Sequence, residues 1–93
     1  MFQAVAVHHA APDHVEDFVA FMGRVIEATS GAPGLIEFTS WRDTERPGLL
    51  MGFSRWESEQ AFVEAMPRIM SLASERREEW SAAPDELFTM MEA

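Results

Sequence analysis

The chain has no cysteine, no lysine, no asparagine and no tyrosine. Without cysteine, disulfides, zinc ribbons and iron–sulfur clusters are excluded, and nothing in the composition ties the protein to an oxidising compartment. The lack of lysine leaves 7 arginines against 16 acidic residues, a formal charge of −9. That balance disfavours nucleic acid and anionic bilayers, because both require clustered basic side chains to release counterions. The missing asparagine and tyrosine close off any chemistry that needs an Asn amide or a phenol from the protein. Apolar runs of membrane-spanning length are also missing. The stretch Met1 to Val7 carries no basic segment and runs straight into His8 and His9, so a leader peptide is not expected. The expectation is a cytoplasmic protein with neither nucleic-acid nor membrane partners.

What is present fits a single domain over residues 1–93. Apolar residues make up 47% of the chain, enough for an ordered core. A domain of this size nevertheless buries only roughly 60–65% of its unfolded surface, so a further interface would help it.

Phe2 to His9 reads as a strand. Phe2, Ala4, Ala6 and His8 share one face and Gln3, Val5, Val7 and His9 the other, and neither face is uniformly polar. Pro12-Asp13 opens a helix whose apolar positions, Val15, Phe18, Val19, Met22, Val25 and Ile26, recur at helical spacing until Ser30-Gly31-Ala32-Pro33-Gly34 stops it. Leu35 to Arg42 and Leu49 to Trp56 form a hairpin about the turn Asp43-Thr44-Glu45-Arg46-Pro47-Gly48. A second helical region follows at once, with Ser58 or Glu57 as N-cap and Glu59 and Gln60 in the first turn. Its apolar face holds Phe62, Ala65, Met66, Ile69, Met70 and Ala73. Pro67 is expected to split it in two, and Arg76-Arg77-Glu78-Glu79 reads as a solvated helix end. Ser81-Ala82-Ala83-Pro84 reads as a linker before a last strand, Asp85 to Glu92.

The order β-α-β-β-α-β defines an α+β, ferredoxin-like fold, a four-stranded antiparallel sheet with both helices on one face. The other face, rich in Phe, Val, Met and Trp, calls for cover, and a second copy in a closed two-fold dimer is the simplest.

Several local features carry a resemblance along the whole chain: Pro12 before helix one, Gly31-Ala32-Pro33-Gly34-Leu35 before strand two, Arg42-Asp43 before the hairpin turn, and Arg55-Trp56-Glu57-Ser58 followed by Ala61-Phe62. With these the chain resembles the antibiotic biosynthesis monooxygenase domain family, whose members form dimeric α/β barrels. The resemblance implies a homodimer and one of several chemistries: oxygenation of aromatic phenols or quinols without metal or flavin, haem degradation, or isomerisation. Haem degradation in such proteins depends on an Asn, a Trp and a His whose positions here hold Ala6, Ala65 and Glu75. None matches. The polyketide oxygenases are described with Asn, Trp, Tyr and Arg around the substrate, of which this chain offers only Trp56 and arginines.

The expected function is therefore a cofactor-independent monooxygenase-like activity on a small apolar aromatic phenol or quinol. Its alternatives are a noncatalytic ligand-binding dimer and an isomerase working by proton transfer. His8 is the candidate catalytic base, since it shares a face with small residues and a neutral imidazole can take a phenolic proton. The plainer reading of His8 is a strand-end histidine bonded to loop backbone. His9 points the opposite way and His14 toward solvent, so no metal site is expected. Phe38, Trp56, Met66 and Met70 are the candidate substrate-binding residues. Against that role, the plainer reading of Trp56 is an anchor packed at the strand-to-helix junction, and of the methionines core. Arg55 reads as a surface ion-pair partner of the neighbouring glutamates.

Overall fold

The structure is a computed structural model describing all 93 residues. Strand β1 (Phe2–Ala10) leads through a 3₁₀ turn at Pro12–His14 into helix α1 (Val15–Thr29). Strands β2 (Leu35–Arg42) and β3 (Leu49–Trp56), helix α2 (Glu59–Met70) and strand β4 (Ser81–Met91) follow. The sheet order is β2-β3-β1-β4 with every pair antiparallel, which is the ferredoxin-like arrangement.

Local chemistry fixes the junctions. The Ser58 hydroxyl accepts from the Ala61 N–H at 3.1 Å, capping α2 two residues after β3 ends. Opposite this cap lies Gly34, at φ +82°, where an added Cβ would come within 2.6 Å of the Ala61 Cβ. Only glycine meets both the backbone and the space demanded there. Asp43 closes the hairpin by accepting from the N–H groups of Glu45 and Arg46, each at 2.8 Å.

Register decides what each face of the sheet carries. Because directly paired residues point to the same side, Ala4 shares the helix side with Ser54, Ala6 with Gly52 and Leu87, and His8 with Leu50. The opposite side stacks Val5, Phe53 and Phe88 in one row and Trp41, Met51 and Val7 in the next.

Under the helices the core forms two clusters rather than one. Phe2, Ala4, Ala32, Trp56 and Ala65 pack at one end, and Ala10, Phe18, Phe21, Met22 and Leu50 at the other. Full burial of a side chain such as Phe18 or Leu50 contributes roughly 1.5–3 kcal/mol. Between the clusters sit Ala6 and Gly52, paired across β1 and β3, and neither can fill the gap.

The second half of the chain departs from expectation in three places. Ser81 to Pro84 is not a linker: Ser81 pairs with Ala10 and Ala83 with His9, so β4 begins at Ser81. Pro84, which has no N–H to give a ladder, sits where the register shifts between Val7 and His9, at a bulge. Pro67 does not divide α2, which runs unbroken through it from Glu59 to Met70 although the ring removes one N–H from the helix. The Ser71 N–H bonds the Pro67 carbonyl at 3.0 Å, and beyond it the chain makes only separate 3₁₀ turns at Ala73–Glu75 and Glu78–Trp80.

Candidate active site

The gap between the two core clusters opens into a cavity of 260 Å³ between sheet and helices. Ala4, Ala6, Gly52 and Ser54 floor it, Phe21, Met22 and Val25 of α1 wall one side, and Phe62, Met66 and Met70 of α2 wall another. Its lining is predominantly apolar, with the polar residues His8, Arg76 and Asp85 also contributing.

His8 is held there by β1, its ring 4.9 Å from the Phe18 ring. The bulge at Pro84 sets Asp85 against it, with Asp85 Oδ1 3.1 Å from His8 Nδ1. The contact is close but poorly aligned, and Nδ1 is the one buried side-chain polar atom without a well-formed hydrogen bond. Nε2 makes no bond within the chain and is not sealed off, so it is the nitrogen a ligand can reach. Asp85 is in turn gripped by Arg76, whose Nη2 donates to Asp85 Oδ1 at 2.8 Å and to Ser81 Oγ at 2.8 Å. The guanidinium also lies 4.7 Å from the centre of the Phe18 ring, a cation–π arrangement.

These contacts set charge states. Burial pushes the His8 imidazole below its ordinary value, against the pull of Asp85 and with help from the positive charge of Arg76. Around Asp85, burial works upward, but the Arg76 and His8 hydrogen bonds and charges outweigh it and hold the carboxyl below its ordinary value. At neutral pH the set is a neutral imidazole, a carboxylate and a guanidinium. An Nδ1–H turned to the carboxylate leaves the Nε2 lone pair for the cavity, which is the state a general base requires.

The residues singled out from sequence divide. Phe38, Met66 and Met70 line the cavity together with His8. Trp56 does not: it is 0% exposed in the first core cluster, edge-on to Phe62 at 5.8 Å, and its Nε1–H donates to Ser54 Oγ at 2.9 Å. Direct substrate contact at Trp56 therefore gives way to anchoring, because the indole is enclosed by protein. Arg55 pairs with Glu37 across the hairpin at 3.5 Å rather than with its neighbours in sequence. Arg76 is no solvated helix end, since Asp85, Ser81 and Phe18 turn it inward.

Asp85, Arg76 and Ser54 are the site residues that sequence reasoning passed over. A proline inside the last strand was the available signal for Asp85, because a proline there marks a bulge that re-aims its neighbour. A wider depression of 570 Å³ outside the cavity shares Ala73 and Arg76 with it, but it is open and holds no histidine. Each histidine faces a different acid, His9 Nε2 at 3.1 Å from Glu86 and His14 Nδ1 at 2.9 Å from Asp17. No three acids or histidines converge as a metal site would require. No helix is long and apolar enough to cross a membrane.

A ferredoxin-like sheet carrying an apolar chamber, with a half-buried His8 beside Asp85 at its wall, defines a small α+β domain. The chain belongs to the antibiotic biosynthesis monooxygenase family, whose model matches residues 1–66. Arg76 and Asp85 lie beyond that stretch. Solved structures agree on the fold. A conserved protein from Methanosarcina mazei superposes with a TM-score of 0.83 at 21% identity, over 99% of this chain and 92% of that one. A Mycobacterium tuberculosis protein gives 0.85 at 18%, over 99% and 94%. A candidate antibiotic biosynthesis monooxygenase from Nitrosomonas europaea gives 0.83 at 13%, over 99% and 98%. At these identities the likeness is one of fold. No curated protein matches the chain in sequence.

Proposed function

We propose that residues 1–93 act as one domain, paired with a second copy across the open sheet face, and that each copy oxygenates a small aromatic phenol or quinol without a cofactor. The observation that carries this reading is the reachable Nε2 of a neutral His8 in the wall of a 260 Å³ apolar cavity. Ligand clefts commonly span about 300–1,000 Å³, so this one suits a ligand of one or two rings. The open face, with Trp41 62% exposed beside Met51 and near Phe53 and Phe88, supports the pairing.

In this reading His8 Nε2 takes the phenolic proton, and Asp85, fixed by Arg76, steadies the imidazolium that forms. The electron-rich phenolate passes one electron to dioxygen, and the radical pair joins at a ring carbon ortho or para to the oxygen that carries hydrogen. His8 returns its proton to the peroxide. Loss of the ring hydrogen as a proton, with cleavage of the O–O bond, releases water and leaves a quinone. One oxygen atom enters the product and the other becomes water, so the substrate supplies all the electrons. Apolar walls keep bulk water from the anion and the peroxide.

Oxygen uptake with a panel of one- and two-ring phenols tests the reading. His8→Ala is expected to lower kcat/KM by about 10²–10⁴-fold, the usual worth of a general base. Unchanged aerobic turnover removes His8 from the mechanism. Turnover that continues without air replaces oxygenation by isomerisation, and binding without turnover leaves a ligand-binding module.

A further inference from the structure

The cavity has a second polar feature, away from the His8–Asp85–Arg76 set. Ser54 lines the chamber although it is only 4% exposed. Its oxygen accepts the Trp56 Nε1–H at 2.9 Å, yet its own O–H finds no acceptor anywhere in the chain. A hydroxyl carries one donor and two acceptor sites, so Trp56 occupies one acceptor and leaves the donor to be satisfied from the cavity. Leaving it unpaired among Ala4, Phe38 and Phe62 is costly. The other polar side chains there are differently placed. Arg76 and Asp85 satisfy one another, and Ser40 is exposed to solvent.

Ser54 pairs with Ala4, whereas His8 lies four residues further along β1 on the same face. At about 3.3 Å per residue the two positions are roughly 13 Å apart along the strand, and their side chains and two hydrogen bonds shorten what a ligand must span. The space between is floored by Ala6 and Gly52, and its one hydroxyl, that of Ser40 paired with Gly52, lies at the solvent-exposed edge.

We infer that Ser54, oriented and polarised by Trp56, donates a hydrogen bond to a second oxygen of the ligand, so that the substrate class is a two-ring aromatic with oxygen at both ends. The hydroxyl at one end meets His8, and a carbonyl, ether or hydroxyl oxygen at the other meets Ser54. This rests on the proposed base role of His8 for the ligand's orientation, but the Ser54 contact is readable without turnover. Trp56 acts here as a positioning residue through Ser54, which gives the buried indole N–H a task besides packing.

The test is equilibrium binding, without oxygen, of two ligands of matched shape, 6-methoxy-2-naphthol and 6-ethyl-2-naphthol. The wild-type chain is expected to bind the methoxy compound roughly tenfold more tightly, the worth of one neutral hydrogen bond. Ser54→Ala should abolish the preference while keeping affinity for the ethyl compound, and Ser54→Thr should restore it. Trp56→Phe should weaken the preference without erasing it, because the hydroxyl remains but loses its orienting donor. Equal binding by the wild type overturns the inference, as does a preference that survives in Ser54→Ala, or equal loss of both ligands there. If the preference follows Ser54 but no phenol drives oxygen uptake, the ligand contact stands and the oxygenase reading fails. Uptake that depends on His8, with no preference between the two ligands, upholds the oxygenase reading and overturns the Ser54 contact.

Discussion

One sheet presents two faces that solve opposite problems. On the helix side the central row is Ala6 with Gly52, and two helices span it without closing down on it. On the other side the adjacent row is Val5 with Phe53 and Phe88, bulky and left open. A strand alternates its side chains strictly, so the middle of β1 sends Ala4 and Ala6 to one side and Val5 and Val7 to the other. In these central rows the side rich in volume lacks cover, and the side with cover lacks volume. The difference teaches that apolar content alone does not say where a protein is packed. What separates the chamber floor from the open face here is side-chain size at alternate positions.

The sharpest way to break this comparison is to remove equivalent bulk from each side. Phe18, fully buried against His8, Arg76 and Trp80, should cost about 3–5 kcal/mol when changed to Ala, read as a shift in urea denaturation. Trp41→Ala, measured dilute enough to keep the chain monomeric, should move stability by less than about 0.5 kcal/mol. Equal losses at the two sites would mean that the open face is as structural as the covered one. Next in size is Phe88→Asp. A charge placed in an apolar seam should weaken self-association at least about 100-fold, seen as a change from dimer to monomer in sedimentation, because an unpaired charge there costs several kcal/mol. A wild-type chain that sediments as a monomer at micromolar concentration ends the pairing proposal.

The smallest effect is a pH dependence whose upper step belongs to the helix side. His8 titrates below its ordinary value of 6.5 when folded, so as the pH falls under 6.5 the unfolded chain binds the proton first and stability declines. The decline continues until the folded imidazole protonates as well. Asp85, also shifted down, adds a separate loss that begins only below its ordinary value of 3.8. His8→Gln should remove the upper of these two steps from a stability–pH curve and leave the lower one. A curve that keeps both would place the titration elsewhere.

How much of this was legible in the sequence depends on the distance over which the signal travels. The order of elements followed from periodicity, and the α2 start was legible because Ser58 and Ala61 are neighbours on one turn. Alternation along β1 put His8 with Ala4 and Ala6 correctly. Pro67 misled because a proline takes one N–H from a helix without having to end it, and α2 continues through it for three more residues, Arg68 to Met70. The polar end of the cavity was out of reach. His8 and Asp85 stand near opposite ends of the chain and meet only through the β1–β4 register with its bulge, of which Pro84 is the one local sign. Trp56 was legible as a strand-to-helix anchor, but its partner Ser54 reads in sequence as an unremarked polar strand position.

Gly52 carries a consequence for how such a chamber changes over time. Its backbone does not require glycine, since only Gly31 and Gly34 adopt positive φ. An added Cβ would meet nothing nearer than Phe38 Cε1, at 3.6 Å, an ordinary contact. Glycine at this position therefore serves as withheld volume. Alanine, valine or leucine there would shrink the chamber in steps while strand register, helix caps and the His8–Asp85–Arg76 set stayed as they are. Chamber size in this architecture can thus drift by single substitutions at one position, decoupled from the residues that make the chain fold.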